Sequence, residues 1–319
     1  MNVVFIGSSK FGLRCLKLLV ESSFCDVTGV VTAPAEFSIS YNPKGVTNVL
    51  YAETSAYCNL NAINCLEIRS GMHDKKILEE VKGWKPDAFI VVGWYHMIPK
   101  IWIDLAPAFG LHASLLPDYS GGAPLVWAII NGERSTGITL FKMDDGVDSG
   151  PIVGQLTEPI YSDDTISTLY ERIEERGLEL LATCLPNLSE DNLSLTIQNE
   201  ENRRIFPQRS PADGMIKWES NATEIERFIR AQTHPYPGAF TLVNDEQLTV
   251  WSASLTNNLC HQEPGTINRY GENLFVSTGT YQLQLGESSF RGKDYSSAEI
   301  AYVLDNDCKR LGMAFEEKK

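Results

Sequence analysis

A histidine and a group of aspartates each stand directly after a predicted buried strand. His112 lies at the end of a strand predicted at Phe109–Ala113, and Asp144, Asp145 and Asp148 follow the next predicted strand. A carboxylate beside an imidazole fixes the ring's orientation and favours its charged form, so such a pair can accept and donate a proton near neutral pH. A structural histidine and a solvated acidic turn are the alternatives that these residues leave open.

Two further kinds of site are less well supported. Three aspartates within five residues could hold a divalent cation, but one His-x-Ser and one acidic turn do not define a ligand set, so no metal is predicted. Ser114 follows His112 by two residues but lacks the Gly-x-Ser-x-Gly elbow of a serine nucleophile.

The first turn of the chain is a candidate anion site. Val3–Gly7 predicts a strand, and Ser8, Ser9 and Lys10 lead into a helix whose first N–H groups could meet a phosphate. The turn is not a Gly-x-Gly-x-x-Gly fingerprint, so a classical dinucleotide site is not predicted. A solvated helix start is the alternative for Lys10. Trp94–Ile98 is a candidate ligand-binding segment of a different kind, since it also follows a predicted buried strand.

Apolar spacing predicts the elements that position these side chains. Short apolar runs alternate with helical patterns over residues 1–190, as in an open, mostly parallel α/β sheet, whose ligands bind beyond the carboxyl ends of its strands. Residues 32–48 contain two prolines and are predicted as a long loop. The predicted strands are Val3–Gly7, Asp26–Val31, Cys65–Ile68, Ala88–Val92, Phe109–Ala113 and Gly137–Phe141, and the predicted helices begin near Lys10, Asn48, Asp74, Pro99, Pro124 and Thr165.

The pattern changes after about residue 190. We predict a catalytic domain at 1–190, a linker at 191–205 and a second domain at 206–319. The second domain contains short alternating segments separated by turn residues, which is typical of a small β-barrel or curled sheet. Thr223–Glu226 fits a capping box at the start of a short helix.

Charge and cysteine content narrow the class of protein. The 319 residues contain 27 basic and 41 acidic side chains, a net charge of −14. Binding many phosphates requires Lys and Arg to displace counterions, so a nucleic-acid partner is disfavoured. The seven cysteines are scattered without a Cys-x-x-Cys pair, which indicates a reducing compartment. No stretch approaches the roughly 20 apolar residues of a membrane span, so we expect a cytoplasmic protein without membrane contact.

Several motifs resemble those of the folate-dependent formyltransferases. The first domain contains FGLHASLLP at 109–117, GGAP at 121–124, NGE at 131–133, TGIT at 136–139 and MDDGVDSG at 143–150. The second contains PQR at 207–209, DGMIKW at 213–218, IRA at 229–231 and PYPGAF at 235–240. The resemblance covers nearly the whole chain and extends to the sugar N-formyltransferase branch. It implies a Rossmann-like formyltransferase domain followed by an OB-like barrel.

This resemblance implies formyl transfer from 10-formyltetrahydrofolate to a primary amine, without a metal. By the family's pattern His112 handles the proton and the oxyanion, and Asp148 supports the charged ring. The resemblance further implies a pterin pocket walled by Leu115, Leu116 and Pro117. The other residues assigned to this pocket are His96, Met97, Ile98, Gly122, Asp144, Asp145, Gly146 and Val147.

One position departs from the family. The usual asparagine two residues before the histidine, a hydrogen-bond donor to the oxyanion, is Gly110 here. Losing one such donor typically lowers the rate about 10²- to 10³-fold. A backbone N–H, a fixed water or the Ser114 hydroxyl could compensate, and we favour compensation over a slower enzyme or a catalytically silent sugar-nucleotide binder.

The family offers two main acceptors for this pair of domains, an amino sugar linked to a nucleotide and an initiator aminoacyl-tRNA. From Phe206 onward the chain has 11 basic and 15 acidic residues, a net charge of −4, which disfavours a polyanion. We therefore predict a UDP- or dTDP-linked deoxyamino sugar of glycan biosynthesis, with the pseudaminic-acid-type pathway as one option and methionyl-tRNA as the alternative. Ser8, Ser9 and Lys10 are assigned to the sugar's diphosphate, and the resemblance leaves room for a homodimer.

Overall fold

The computed structural model describes residues 1–39, 42–69, 71–189, 193–307 and 310–312. The chain forms two compact units. The first consists of Met1–Pro124, Ser135–Pro159 and Glu171–Phe206, and the second of Leu125–Arg134, Ile160–Tyr170 and Pro207–Lys319.

The first unit contains a central sheet, and helices connect many of its strands in sequence. Its strands are β1 (Asn2–Ile6), β2 (Asp26–Thr32), β3 (Glu36–Ile39), β4 (Asn42–Thr47), β5 (Cys65–Glu67), β6 (Ala88–Val91), β7 (Ala108–His112), β8 (Ser120–Gly121), β9 (Ser135–Lys142), β10 (Ile152–Pro159) and β11 (Ile205–Phe206). The α-helices within the described residues of both units are α1 (Lys10–Glu21), α2 (Thr54–Leu60), α3 (Lys75–Gly83), α4 (Lys100–Ile103), α5 (Pro124–Ile130), α6 (Ile166–Cys184), α7 (Ala222–Arg230) and α8 (Ser297–Asp307).

Seven strands form the central sheet in the order β10-β9-β7-β6-β1-β2-β5. The five strands from β7 to β5 run parallel, while β9 is antiparallel to β7 and β10 is antiparallel to β9. Every residue of β6 is buried, as is all of β1 after its first residue, so these strands are continuous apolar runs, as expected of parallel strands covered on both faces. The predicted fold class, a mostly parallel α/β sheet followed by a β domain, is confirmed.

Helix α1 begins where the sequence predicts it. The Ser9 hydroxyl caps the helix by accepting a hydrogen bond from the Gly12 N–H at 2.9 Å. Cys15, Leu16 and Leu19 are fully buried along one face of the helix. This packing holds the Ser8–Ser9 turn at the carboxyl end of β1.

Two local predictions in the first unit were wrong, and one strand was missed. Residues 32–48, predicted as a loop, contain β3 and β4, which pair as an antiparallel ribbon, although residues 40–41 lie outside the described part of the chain. The helix predicted to begin near Asn48 begins at Thr54. Strand β10, which was not predicted, forms one edge of the central sheet.

The second unit is built on antiparallel strands. They are β12 (Ala239–Val243), β13 (Glu246–Val250), β14 (Ala253–Leu259), β15 (Ile267–Tyr270), β16 (Asn273–Ser277), β17 (Tyr281–Leu285), β18 (Ser288–Phe290) and β19 (Lys293–Tyr295). They form two four-stranded sheets, β12-β13-β18-β19 and β14-β17-β16-β15. Trp218, Ile225, Leu248 and Phe290 belong to one buried core that also includes residues of α8.

The capping box of α7 lies two residues earlier than predicted. The Asn221 side chain accepts from the Glu224 N–H at 2.9 Å, and the Glu224 carboxylate accepts from the Asn221 N–H at 3.4 Å. Thr223 lies inside the helix and is exposed. The predicted box at Thr223 and Glu226 was therefore wrong, because asparagine caps a helix as well as threonine does and here precedes it.

No helix in the described residues is long and apolar enough to cross a membrane.

Candidate active site

His112 is the last residue of β7, and both nitrogens of its ring face oxygen atoms. Nε2 lies 2.8 Å from the carbonyl oxygen of Tyr119, and Nδ1 lies 3.6 Å from Oδ2 of Asp148. A ring that donates from Nε2 to the carbonyl leaves Nδ1 to take up or release a proton beside a carboxylate. The side chains of His112 and Asp148 are only 12% and 19% exposed, so this contact is shielded from bulk water.

Asp148 has a constrained backbone and accepts two hydrogen bonds. Its backbone lies in the left-handed region, with φ of 50°. Its Oδ2 accepts a hydrogen bond from the Gly121 N–H at 2.8 Å, and its carbonyl oxygen accepts from Nε2 of Gln198 at 2.8 Å. The same amide nitrogen donates to the carbonyl oxygen of Gly150 at 2.6 Å. The carboxylate is therefore fixed in place before any substrate binds.

Asp148 reaches His112 by a route that the sequence did not predict. Because β9 is antiparallel to β7, the carboxyl end of β9 does not lie beside that of β7. The loop 143–150 instead brings Asp148 back to the histidine. This loop is tight: a Cβ at Gly150 would lie 1.8 Å from the Lys142 carbonyl oxygen, and the Met143 N–H donates to the carbonyl oxygen of Ala108.

Gly110 lies inside β7, where a neighbouring ring fills the space of a side chain. A Cβ at this position would lie 2.9 Å from Cε1 of Phe141 and 3.6 Å from Cγ of Met143. Phe141 is 3% exposed and pairs with Gly110 across the two strands. The usual asparagine of the family therefore has no room here unless Phe141 moves.

Ser114 is fully buried and its hydroxyl group is engaged. The hydroxyl donates to the carbonyl oxygen of Asp118 at 2.7 Å, and the Ser114 carbonyl accepts from the Thr139 hydroxyl at 2.6 Å. This geometry favours a structural role in the turn after His112.

The predicted pterin wall lies directly after this turn. Leu116 is buried, while Leu115 and Pro117 are half-buried. The Gln155 amide nitrogen donates to the carbonyl oxygen of Leu116 at 2.9 Å, which fixes the wall against β10. Gly122, the other predicted pocket residue of this region, is buried.

His96 presents a buried polar atom without a partner. Its ring lies 5.3 Å from Trp94 and 5.4 Å from Phe37, measured between ring centroids. Nε2 is buried and has no hydrogen-bond partner among the described residues, and burial lowers the pKa of His96. A ligand with a polar edge would satisfy this nitrogen. Met97 is 58% exposed and Ile98 is 5% exposed.

The acidic loop exposes most of its predicted ligand-binding residues. Asp144, Asp145, Gly146 and Val147 are all exposed, and the Asp144 carboxylate accepts hydrogen bonds from the Gly146 N–H and from the Ser149 hydroxyl. No cluster of three or more His, Cys, Asp or Glu side chains in the described part of the chain could hold a metal ion.

The predicted diphosphate site is largely engaged in internal contacts. The Ser8 hydroxyl is buried and lies 3.4 Å from the Asn48 amide nitrogen, which donates to it. The Ser9 hydroxyl caps α1, as described above. Only the Lys10 side chain is exposed. Lys10 is therefore the side chain of this group that can reach a bound anion.

Sequence reasoning missed residues 205–206, which pack against the turn beside His112 and Asp148. Ser120 and Gly121 pair in parallel with Ile205 and Phe206, residues at the border of the predicted linker. The Phe206 ring also stacks on Tyr119, with centroids 4.4 Å apart and planes 5° apart. Two-residue strands are too short to give a periodic signal, so only the apolar pair after two arginines marks this segment.

The family of the chain can now be stated. Residues 1–185 match the formyl transferase family, and residues 209–301 match the formyl transferase C-terminal domain. The chain belongs to the formyl transferase family. The predicted family is thereby confirmed, and the chain is a formyl-transferring enzyme. Members of this family use formyl-tetrahydrofolate.

The relatives of this formyl transferase are named for, or were crystallised with, different compounds. Methionyl-tRNA formyltransferase of Agathobacter rectalis is 32% identical over 301 residues, which cover 92% of this chain and 93% of that protein. The N-formyltransferase of Helicobacter canadensis, crystallised with folinic acid and dTDP-3-aminofucose, superposes with a TM-score of 0.64 at 19% identity, over 89% of this chain and 98% of that one. HypX of Aquifex aeolicus with tetrahydrofolic acid gives 0.62 at 19% identity, over 94% of this chain. The chain spans about half of HypX, 46% of its length.

Proposed function

We propose that this formyl transferase moves the formyl group of 10-formyltetrahydrofolate to the primary amine of a UDP- or dTDP-linked deoxyamino sugar, in the synthesis of a cell-surface glycan. The observation that carries the transfer chemistry is the shielded contact between Nδ1 of His112 and Oδ2 of Asp148 at 3.6 Å. The choice of acceptor is supported by the charge of the chain.

His112 supplies the proton chemistry of the transfer. The attacking amine must lose a proton, and the nitrogen that releases the formyl group must gain one. Nδ1 of His112 accepts the first proton and returns it, while Asp148 stabilises the charge on the ring. Positioned acid–base catalysis of this kind contributes typically about 10²- to 10⁴-fold in rate.

Negative charge on the formyl oxygen must be met without a side chain at position 110. The Ser114 hydroxyl donates to the Asp118 carbonyl oxygen, so this serine, one of the compensating donors that the sequence suggests, is already engaged. We assign the stabilisation of this negative charge to the charged ring of His112 together with a nearby backbone N–H group. Hydrogen-bond donors of either kind act strongly in a shielded site.

The formyl donor fits the residues around His96. The orphaned Nε2 of His96 would meet a polar edge of the pterin, and Leu115, Leu116 and Pro117 would pack against its face. The exposed backbone of residues 144–147 would bind the opposite polar edge. None of these contacts needs a metal ion.

Charge supports the sugar nucleotide as acceptor. The whole chain has a net charge of −14, and the segment from Phe206 onward has 11 basic and 15 acidic residues. A small nucleotide needs one or two cationic contacts, for which Lys10 is available, whereas tRNA needs many. A solved neighbour that carries dTDP-3-aminofucose shares the fold.

Methionyl-tRNA is the second candidate acceptor. It is favoured by one specific observation: a relative named methionyl-tRNA formyltransferase is 32% identical over 92% of this chain. The two candidates differ in the size and charge of the acceptor and share the same chemistry at His112.

One assay separates them. The full-length protein is mixed with 10-formyltetrahydrofolate and offered either a panel of UDP- and dTDP-linked amino sugars or charged initiator tRNA, and formylated products are identified by mass. We expect a formylated sugar nucleotide. Formylation of tRNA alone would overturn the sugar acceptor while leaving the transfer chemistry intact.

Two variants test the catalytic pair in the same assay. We expect His112→Ala to abolish transfer and Asp148→Asn to lower it, with folding unchanged. His261→Ala is the matched control, because His261 is exposed and belongs to the second unit. Full activity of His112→Ala would refute the assigned site.

A further inference from the structure

A short segment between the two matched ranges, 1–185 and 209–301, contacts the turn that contains Tyr119. The carbonyl oxygen of Tyr119 is the atom beside Nε2 of His112. We call residues 198–206 the strap. Its backbone accepts two hydrogen bonds from this turn, one from the Ser120 N–H to the Arg204 carbonyl oxygen at 3.0 Å and one from the Gly122 N–H to the Phe206 carbonyl oxygen at 2.9 Å. A Cβ at Gly121 would lie 2.4 Å from the Phe206 carbonyl oxygen, so the two segments are in close contact.

Arg204 is the side chain that completes this support. Its Nε donates to Oδ1 of Asp118 at 2.6 Å, and a terminal nitrogen donates to Oδ2 at 2.5 Å. The same Oδ1 accepts the Tyr119 N–H at 2.9 Å. The guanidinium also lies over the Tyr119 ring, 4.8 Å from its centroid. Arg204 therefore holds both the peptide that precedes Tyr119 and the ring of Tyr119.

The Tyr119 peptide needs this support because of its own geometry. Its φ is +55°, a left-handed value that a bulky residue rarely adopts. Such conformations persist when surrounding contacts determine them. The carbonyl oxygen of Tyr119 is the atom 2.8 Å from Nε2 of His112, so its direction determines where the imidazole points.

We propose that Arg204 is a positioning residue for catalysis: through Asp118 it fixes the Tyr119 carbonyl oxygen, which in turn holds the His112 ring with Nδ1 toward Asp148. Asp148 and the Tyr119 carbonyl thus constrain the two nitrogens of one ring. Arg204 and Asp118 are 52% and 34% exposed, so the attraction between them adds little to stability. Their contribution is geometric, through a two-pronged contact that lysine cannot reproduce.

The first test observes the hydrogen bond itself and needs no substrate. In the full-length protein, an Nε2–H held by the Tyr119 carbonyl is expected to give a slowly exchanging imidazole proton resonance, identified by its loss in His112→Gln. We expect Arg204→Gln to remove or broaden this resonance. Arg291→Gln is the matched control, because Arg291 forms an ion pair of similar exposure with Glu246 and lies over Phe290.

The second test measures catalysis and rests on the proposed formyl transfer. Misplacing a catalytic group by about 1 Å can lower the rate about 10²-fold, so we expect Arg204→Gln to lower kcat by about 10- to 100-fold. The KM values for both substrates should stay within about twofold, since binding residues are unchanged. Arg204→Lys should recover only part of kcat, and Asp118→Asn combined with Arg204→Gln should be no worse than either alone.

The two tests fail in different ways. Wild-type protein that formylates no offered amine would refute the proposed function, and the resonance would still decide the role of Arg204. No protected His112 resonance in the wild type, or one that persists in Arg204→Gln, would overturn this proposal. So would a kcat of Arg204→Gln equal to that of Arg291→Gln.

Discussion

At the scale of single residues, Gly110 is the position where the sequence departs from the asparagine that the family resemblance implies. A Cβ added here would lie 2.9 Å from Cε1 of Phe141. A side chain at 110 and the present position of the Phe141 ring therefore exclude each other. Under the proposed mechanism, stabilisation of the oxyanion therefore comes from atoms other than a side chain at position 110.

We expect Gly110→Asn to lower turnover rather than restore it. Forcing a side chain against Phe141 overpacks a buried site, which typically lowers the free energy of unfolding by about 1 to 3 kcal/mol. The double variant Gly110→Asn with Phe141→Leu relieves the clash, so its loss of stability should be smaller than the sum of the two single losses. Urea unfolding and the formylation assay measure both effects. A faster and equally stable Gly110→Asn would contradict this account.

The buried His96 makes the free energy of unfolding depend on pH. Burial lowers the pKa of His96 in the folded protein below its ordinary value of 6.5. On acidification the unfolded chain therefore binds a proton that the folded chain does not, so the free energy of unfolding decreases progressively as the pH falls from about 6.5 towards the lower folded pKa.

We expect His96→Phe to make the free energy of unfolding less sensitive to pH than in the wild type. The aromatic ring keeps the packing against Trp94 and Phe37 but cannot bind a proton. Denaturant unfolding at about pH 7.5 and about pH 5.5 compares the two proteins across the window in which the unfolded histidine titrates. Equal losses of stability on acidification would show that His96 does not contribute.

The sequence motifs predict His112 and Asp148 as a pair, and the structure brings the two side chains together, but the sequence did not predict the residues that hold them. His112 and Asp148 are recognisable because imidazole and carboxylate have distinctive chemistry and stand in a specific motif. Tyr119 and Arg204 act through a backbone carbonyl and a surface ion pair, and neither has a signature of residue type or spacing. Contacts between residues more than eighty positions apart, such as Arg204 with Asp118, become visible only in the folded chain.

At the scale of elements, the fully apolar strands were the most predictable. Strand β6 is a continuous buried apolar run, β1 is one after Asn2, and β7 is one up to the half-buried Leu111 and His112 at its end, and each was predicted within one residue at either end. β4 contains Pro43 and Gly45, which are signals of a turn rather than a strand. β10 is an edge strand with mixed burial and so lacks a clean period. Pairing with a neighbour, rather than local preference, stabilises these two strands.

The start of α7 offers a direct test of one such element. Asn221 and Glu224 form the capping box, whereas the sequence favoured Thr223 and Glu226. Replacing an N-cap by alanine typically lowers stability by about 1 kcal/mol. We therefore expect Asn221→Ala to reduce the free energy of unfolding by about 1 kcal/mol, while Thr223→Ala, at an exposed position within the helix, changes it little.

Thermal or urea unfolding of the two variants, monitored by circular dichroism, distinguishes a capping box at Asn221 and Glu224 from one at Thr223 and Glu226. Both substitutions remove a small polar side chain near the same helix end, so each serves as the control of the other. A larger loss for Thr223→Ala than for Asn221→Ala would place the cap where the sequence alone had put it.

At the scale of the whole molecule, net charge is the property that bears most on the acceptor. The excess of acidic residues extends into the segment from Phe206 onward, which contains 15 acidic and 11 basic residues. Relatives that share about a third of their residues with this chain are named for a tRNA substrate. Sequence similarity and electrostatics therefore favour different acceptors, and a binding measurement can separate them without turnover.

We expect no saturable binding of initiator tRNA by the wild-type protein. A polyanion is bound largely through release of its counterions, and a chain with a charge of −14 offers few cations to replace them, so a fluorescently labelled tRNA should not saturate below roughly 100 µM protein at about 50 mM salt. A dTDP-linked amino sugar should instead raise the melting temperature, with a modest dependence on salt, because few charges are neutralised. Tight tRNA binding that weakens steeply with added salt would show a local basic surface outweighing the net charge, and the methionyl-tRNA acceptor would then replace the sugar.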